Sequence, residues 1–342
     1  MAETHPRHTI ALIGLGTIGL SFAALHLRYS SANLRLYDVR DDLEQHISAL
    51  LPVYLGVDNA KPDAKKALSV ESLTSAGRLT ICSSIKEACF NATIVQEQGP
   101  DSIAFKKSNW AQVTQHAPKT AHFWSSTSGI CASKQIEDLE HDEDKSRVLV
   151  VHPFNPPHIM PLLEIVPSPH TDPGITQFTV DYFTQLGSGH RPVVIKKETQ
   201  GFVGNRLAFA LFREACHLVA DDVVSARDLD TIMESSLGPR WAAAGPFKTY
   251  NSAGGAGGID AFLHHLAPTI EACWDDAGTV SLKGTSAWTF TGRSDGSNGN
   301  EDWPSKVSRQ TDEAYGRPNA ASLAQRDEDL KRIIEAQPIK FS

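Results

Sequence analysis

The chain lacks what would direct it to nucleic acid, to a membrane or into a disulfide framework. Among its 342 residues Asp and Glu outnumber Lys and Arg by 40 to 32, a formal net charge of −8. No basic run is present that would neutralise a row of phosphates. The five cysteines, Cys82, Cys89, Cys131, Cys216 and Cys273, form no C-x-x-C pair. Reduced thiols are therefore expected, with neither disulfides nor a metal site. Nothing resembles a membrane span. The one apolar stretch that invites confusion, TIALIGLGTIGLSFAALHL, is interrupted by three spaced glycines and passes into a helical pattern, so it reads as strand, turn and helix and not as a signal-peptide core. The final PIKFS is not a peroxisomal SKL address, and a cytoplasmic protein is expected. No internal repeat is visible.

What remains is an ordinary globular composition, 41% hydrophobic and 21% charged, with enough apolar material for a sizeable core. The length favours two domains. Strand-like runs are predicted at residues 9–14, at NLRLYDV from Asn33, and at LTICSS, ATIVQE, TAHFWSSTS, RVLVVHPF and RPVVIK. Helix-like sequence separates most of them, which implies a doubly wound, largely parallel Rossmann-type sheet over residues 1–197. From Gly201 the strand alternation stops. GFVGNRLAFALFREACHLVADDVVSARDLDTIMESSLG and the sequence to about Ala277 have helical spacing, broken by Gly254, Gly255, Gly257 and Gly258. An all-helical substrate and dimerisation domain is expected over residues 198–342, with a polar Gly/Ser/Thr-rich loop near 279–300 and a last charged helix, SLAQRDEDLKRIIEA.

Gly14, Gly16 and Gly19 form G-x-G-x-x-G between a predicted strand and a predicted helix that Thr17 and Ile18 open. The first glycine permits the tight turn, the second admits a pyrophosphate to the backbone, and the third lets helix and strand pack closely. Asp38 ends the second strand about twenty residues on, where an acid takes adenosine ribose hydroxyls. Its charge would repel the 2′-phosphate of NADP, so NAD is the expected cofactor even with Arg40 two residues away. Glu97, at the end of ATIVQE, is counted with the cofactor-binding residues.

The chemistry is suggested by HPFNPPHIMPLLEIVP. His152 emerges from the β-branched run RVLVV, and twelve residues later Glu164 stands in LLEIV, where an unpaired charge would be costly to bury. Histidine and carboxylate brought to one rim suggest a base and its orienting group. Ser128 in SSTSGI and Asn205 in GFVGNRL stand near the same carboxyl edge. A serine after a strand is also an ordinary turn residue, and an asparagine at a helix start an ordinary cap.

These motifs, in this order, resemble the 3-hydroxyacyl-CoA dehydrogenase superfamily over most of the chain. The resemblance implies that Ser128, His152, Glu164 and Asn205 form the catalytic group. It also implies that Asp101 and Lys106, in QEQGPDSIAFKK, lie near the nicotinamide end, with Asp101 where many CoA-dependent members have glutamate. Within the superfamily, HPFNPPHIMPLLEIVP and LGPRWAAAGPFKTYNSAGGAGG resemble the branch of L-gulonate 3-dehydrogenase (lambda-crystallin) and carnitine 3-dehydrogenase. GRPNAASLAQRDEDLKRII is closer to the carnitine type, and the polar insert at 279–300 matches neither. The expected reaction is NAD-dependent oxidation of the 3-hydroxyl of a small hydroxy acid, or the reverse reduction. His152 would act as general acid/base with Glu164, while Ser128 and Asn205 hydrogen-bond the substrate oxygen. Arg240, bounded by glycine and proline, is expected in a loop, as a fork for the substrate carboxylate or as a salt-bridge partner. Trp241 beside it suits either a pocket or a core. Two alternatives remain: a CoA thioester substrate, with Lys61, Lys65 and Lys66 on the CoA phosphates, and a crystallin-like NAD-binding protein without turnover. Apolar faces such as LAFALF and FLHHL suggest a homodimer.

Overall fold

The computed structural model describes residues 7–56, 69–278, 280–282 and 302–337. The expected CoA lysines at 61, 65 and 66, the helical pattern at DAKKAL and most of the polar loop near 279–300 lie outside the described residues. Contacts divide the chain into two compact units, Met1–Arg206 and Leu207–Ser342.

The first unit is an eight-stranded sheet in the order β3-β2-β1-β4-β5-β6-β7-β8. Its strands are β1 (Thr9–Ile13), β2 (Asn33–Tyr37), β3 (Leu79–Ile81), β4 (Ile94–Glu97), β5 (His122–Ser125), β6 (Val148–Pro153), β7 (Leu162–Pro167) and β8 (Arg191–Val194). The first six pair in parallel, in the dinucleotide-binding order that reverses between β1 and β4. Side chains alternate across the central strands. Ile10, Leu12, Trp124, Leu149 and Val151 pack on one face, and Ala11, Ile13, Phe123, Val148 and Val150 on the other. Helix α1 (Thr17–Tyr29) and the Pro173–Gln185 helix cover the first face, while Trp110 and Val113 of the Ile103–His116 helix cover the second. Both faces are buried, which explains why these strands are apolar without a polar alternation.

The glutamate segment LLEIV is itself a strand, β7, which the sequence did not single out. It runs antiparallel to β6 because the few residues joining them are too short for a crossover, whereas the Pro173–Gln185 helix lets β8 return parallel to β7. His152 is accordingly not beyond the end of its strand. It lies within β6, directly opposite Glu164.

The second unit, taken by itself, is helical. Its elements are Ala226–Ser235, Leu237–Ala243, Pro246–Ala253, a 3-10 turn at Gly255–Gly257, Gly258–Asp276, Trp303–Tyr315 and Ala320–Ala336, together with most of Gly204–Ala220. Trp303–Tyr315 had no counterpart in the sequence reading. The expected boundary at 197/198 falls earlier than the division between units. Residues 203–205 hydrogen-bond back to Glu164 and Ser128, and so stay with the sheet.

Candidate active site

Two cavities open along the carboxyl edge of the sheet in the first unit. One, of about 480 Å³, is lined by Gly14, Gly16, Asp38, Val39, Gln98 and Asn109 among others. Gly14 follows β1 with φ of +94°, and a Cβ there would lie 2.9 Å from the Gln98 carbonyl carbon. A Cβ on Gly19 would lie 2.0 Å from the Gly14 carbonyl oxygen. Around Gly16, by contrast, nothing stands within 4 Å of the Cβ position. The turn is therefore tight where helix and strand meet and open where a ligand would approach. Thr17 and Ile18 begin α1 with no side chain capping it, leaving first-turn N–H groups and the positive end of the helix dipole for an anion. Asp38 closes the same rim. One carboxylate oxygen accepts from the Leu15 N–H at 2.6 Å and the other from the Arg40 N–H at 3.1 Å. An ionised carboxylate has further lone pairs for ribose hydroxyls. The Arg40 guanidinium is turned to Asp42, at 2.6 Å. These features fit a dinucleotide: a bare backbone for pyrophosphate, and an acid whose neighbouring cation, Arg40, is already paired, for an unphosphorylated ribose.

The other cavity, of about 560 Å³, is lined by Asp101, Ser126, Ser128, His152, Phe154 and Asn205 among others, and shares Gln98 and Gly99 with the first. His152 is nearly buried, its ring flanked by those of Phe154 and Phe202 at 5.4 and 5.3 Å. Its Nδ1 lies 2.7 Å from Glu164 Oε2. The second oxygen, Oε1, accepts the backbone N–H groups of Val203 and Gly204 at 2.9 and 3.0 Å, at the start of a helix. Burial alone would raise the Glu164 carboxyl. The bond from His152 and the two amides outweigh it and hold the group below the usual carboxylate range. A Cβ at position 204 would lie 2.4 Å from the Phe154 ring, so a larger residue there would have to displace that ring.

Ser128 and Asn205 are neighbours, the Asn205 Nδ2 donating to the Ser128 carbonyl at 2.8 Å. The Ser128 hydroxyl donates to Asp101 Oδ2 at 2.6 Å, and the Thr127 hydroxyl to Oδ1 at 2.6 Å. The expected direct role for Ser128 thus meets a competitor that sequence reasoning had placed only near the nicotinamide, because an ionised acceptor binds a hydroxyl strongly. Burial opposes ionisation of Asp101, but these hydroxyls, the Ser128 N–H and the Lys106 charge hold its carboxyl low. Glu97 and Lys106 are wholly buried and paired at 2.9 Å. Glu97 also receives the Ser125 hydroxyl and the Gly99 N–H, and Lys106 also donates to the Gly99 carbonyl. Burial pushes the Glu97 carboxyl up against the attraction of Lys106. The two are buried where the sequence reading expects cofactor-binding residues, and there they brace the Gly99 turn.

Arg240 also departs from expectation. It lies on the Leu237–Ala243 helix, exposed, and not in a loop. Pro239 is tolerated there because first-turn N–H groups have no helical partner. Its guanidinium has no ion pair or side-chain hydrogen bond among the described residues, and Trp241 beside it is partly exposed.

Comparisons with known proteins agree with this geometry. The profile described as 3-hydroxyacyl-CoA dehydrogenase, NAD binding domain, matches residues 9–199, and that of the 3-hydroxyacyl-CoA dehydrogenase C-terminal domain residues 201–272. A Gibberella moniliformis protein named 3-hydroxyacyl-CoA dehydrogenase is 33% identical over 276 residues, 80% of this chain and 81% of its own length. The L-carnitine dehydrogenase of a Pseudomonas species is 34% identical over 266 residues, 78% of this chain and 79% of that protein. The crystal structure of 5-formyl-3-hydroxy-2-methylpyridine 4-carboxylic acid 5-dehydrogenase, an NAD+ dependent dismutase, superposes with a TM-score of 0.73 at 27% identity, covering 97% of this chain and all of that one. With a bare-backbone glycine turn, an acid at the end of the second strand and a histidine–glutamate pair on one sheet edge, the chain belongs to the 3-hydroxyacyl-CoA dehydrogenase family and is an NAD-dependent oxidoreductase of CH–OH groups.

Proposed function

We propose that this dehydrogenase oxidises the 3-hydroxyl of a small acid bearing a free carboxylate, and reduces the corresponding keto acid in the reverse direction. The observation that supports it best is the His152–Glu164 pair at the wall of the 560 Å³ cavity. Glu164 occupies Nδ1, so Nε2 is the ring nitrogen left to take the substrate hydroxyl proton. The ionised, triply anchored Glu164 favours the imidazolium that results. Bound NAD supplies the hydride acceptor, its phosphates on the Gly14–Gly19 turn and its ribose at Asp38. Ser128 engages the substrate oxygen by turning its proton from Asp101 toward the charge that develops there. Asn205 fixes the Ser128 backbone while this happens.

Arg240 is assigned to the substrate carboxylate. An exposed guanidinium with no protein acid among the described residues suits bidentate recognition of a ligand acid. Relatives named L-carnitine dehydrogenase favour a free hydroxy acid over a CoA thioester. We also assign residues 1–197 to cofactor binding and 198–342 to substrate binding and pairing, in a cytoplasmic homodimer. Several helices of the second unit bury no residue at all, and Leu207, Phe209 and Phe212 are more than half exposed. Such faces are covered in a stable protein, and a second copy is the simplest cover. No helix among the described residues is long and apolar enough to cross a membrane. NADH formation on a panel of free 3-hydroxy acids tests the reading, and it separates an enzyme from a protein that only binds NAD. A monomeric mass by light scattering at micromolar concentration would remove the dimer.

A further inference from the structure

We infer that Gln96 is a positioning residue of the cofactor site, which holds the Ser126 hydroxyl so that its proton meets the carboxamide oxygen of the bound nicotinamide. Gln96 is wholly buried in β4, directly after Ile94 and Val95. An apolar side chain would fill that place without an amide to satisfy. The two ends of the amide have different partners. Oε1 lies 3.0 Å from His26 Nε2, and Nε2 donates to Ser126 Oγ at 3.2 Å. His26 is also wholly buried, and its Nδ1 meets the Tyr182 hydroxyl at 2.8 Å. Burial keeps this ring neutral, with its pKa lowered to about 4. With the amide so oriented, Tyr182 donates to Nδ1, the ring donates from Nε2 to Oε1, and the amide donates to Ser126. The Ser126 oxygen is thus used as an acceptor, and its own proton has no acceptor among the described residues.

Ser126 lines the cavity of about 560 Å³ together with Ile18, Gln98 and His152. Gln96 reaches it from the face of the sheet that α1 covers, and α1 carries both His26 and Ile18. On the proposed mechanism, on which this contact depends, hydride passes beside His152. The nicotinamide must then enter from the Gly14–Gly19 turn past Gln98, which lines both cavities. His152 and Ser128 are engaged with the substrate oxygen, which leaves Ser126 to the cofactor. The carboxamide offers an acceptor oxygen on one side and an amino group on the other. A hydroxyl held as a donor selects the oxygen and so fixes which way the carboxamide turns.

The test is equilibrium binding of NADH, of reduced 3-acetylpyridine adenine dinucleotide and of ADP-ribose, followed by calorimetry, with no substrate required. The acetylpyridine analogue keeps the carbonyl oxygen without the amino group, and ADP-ribose lacks the ring altogether. Ser126→Ala should weaken NADH and the analogue alike, by about 2- to 13-fold, the value of one hydrogen bond between neutral groups, and leave ADP-ribose unchanged. Gln96→Met should weaken the same two ligands, and should add nothing to the loss when combined with Ser126→Ala, an equality that general destabilisation would not produce. Unchanged NADH affinity in Ser126→Ala would overturn the inference even if Gln96→Met failed to fold. So would a loss shared by ADP-ribose, a loss confined to NADH, or losses that add in the double variant. The proposed mechanism is judged separately, by turnover in His152→Ala.

Discussion

His152 and Glu164 face each other as register partners across the antiparallel pair β6–β7, with Nδ1 and Oε2 2.7 Å apart. Glu164 is also held by two backbone amides, so it cannot follow the imidazole if the ring turns. Because the carboxylate only accepts, the proton of the neutral ring sits on Nδ1 and the Nε2 lone pair is left for substrate. His152→Ala should lower turnover by roughly 10²–10⁴, the usual value of general acid–base catalysis, with NAD affinity nearly intact. Glu164→Gln should lose less, since the imidazole survives without its charged partner. Steady-state rates beside a cofactor-binding titration check both. Normal turnover in the alanine variant would remove His152 from the mechanism.

Asp38→Ala should weaken NAD binding by about 1.5–3 kcal/mol, the range for hydrogen bonds to a charged group, and relax discrimination against NADP. Part of this loss comes from the Leu15 N–H that Asp38 now holds, so Asp38→Asn, which keeps an acceptor for that amide, should lose less. Dissociation constants for both dinucleotides decide it, and unchanged NAD affinity in the alanine variant would take this acid off the ribose.

The sheet and the cofactor turn were legible because each is written locally. Apolar runs of strand length, three glycines and an acid at fixed spacing determine a Rossmann half. The histidine and glutamate were legible as chemistry but not as geometry: nothing near LLEIV distinguishes a strand from a buried loop, and its antiparallel course follows from a short connection. Asp101 was harder, because its grip on Ser128 and Thr127 joins residues 26 and 27 positions apart. Glu97 and Lys106 were read separately as residues near the cofactor, since sequence does not reveal that the two charges pair with each other in the interior. For Arg240, glycine and proline suggested a loop, although both are compatible with a helix's first turn.

A second histidine gives the fold a pH dependence of its own. His26 is fully buried, with Nε2 near Gln96 Oε1 at 3.0 Å and Nδ1 near the Tyr182 hydroxyl at 2.8 Å, and burial lowers its pKa from 6.5 to about 4. Between those values the unfolded chain binds a proton that the folded one does not. Stability is therefore lost as pH falls from 6.5 toward 4, by about 3 kcal/mol in full. Urea midpoints across this range should fall less steeply in His26→Gln than in the unaltered enzyme. An identical slope would mean that this ring does not titrate as its burial requires.

Arg240→Met should raise the Michaelis constant for the acid substrate steeply while leaving NAD binding alone, and Arg240→Lys should rescue only part, because lysine lacks the planar fork. Initial-rate measurements at saturating NAD check this. An unchanged Michaelis constant in the methionine variant would place the carboxylate elsewhere.

The most direct measurement compares kcat/KM for L-carnitine, L-gulonate and 3-hydroxybutyrate with that for 3-hydroxybutyryl-CoA, all with NAD. The predicted result is a clear preference for one of the free acids, abolished together with turnover in His152→Ala. Robust oxidation of the CoA thioester with no activity on any free acid would contradict the account and leave only membership of the family.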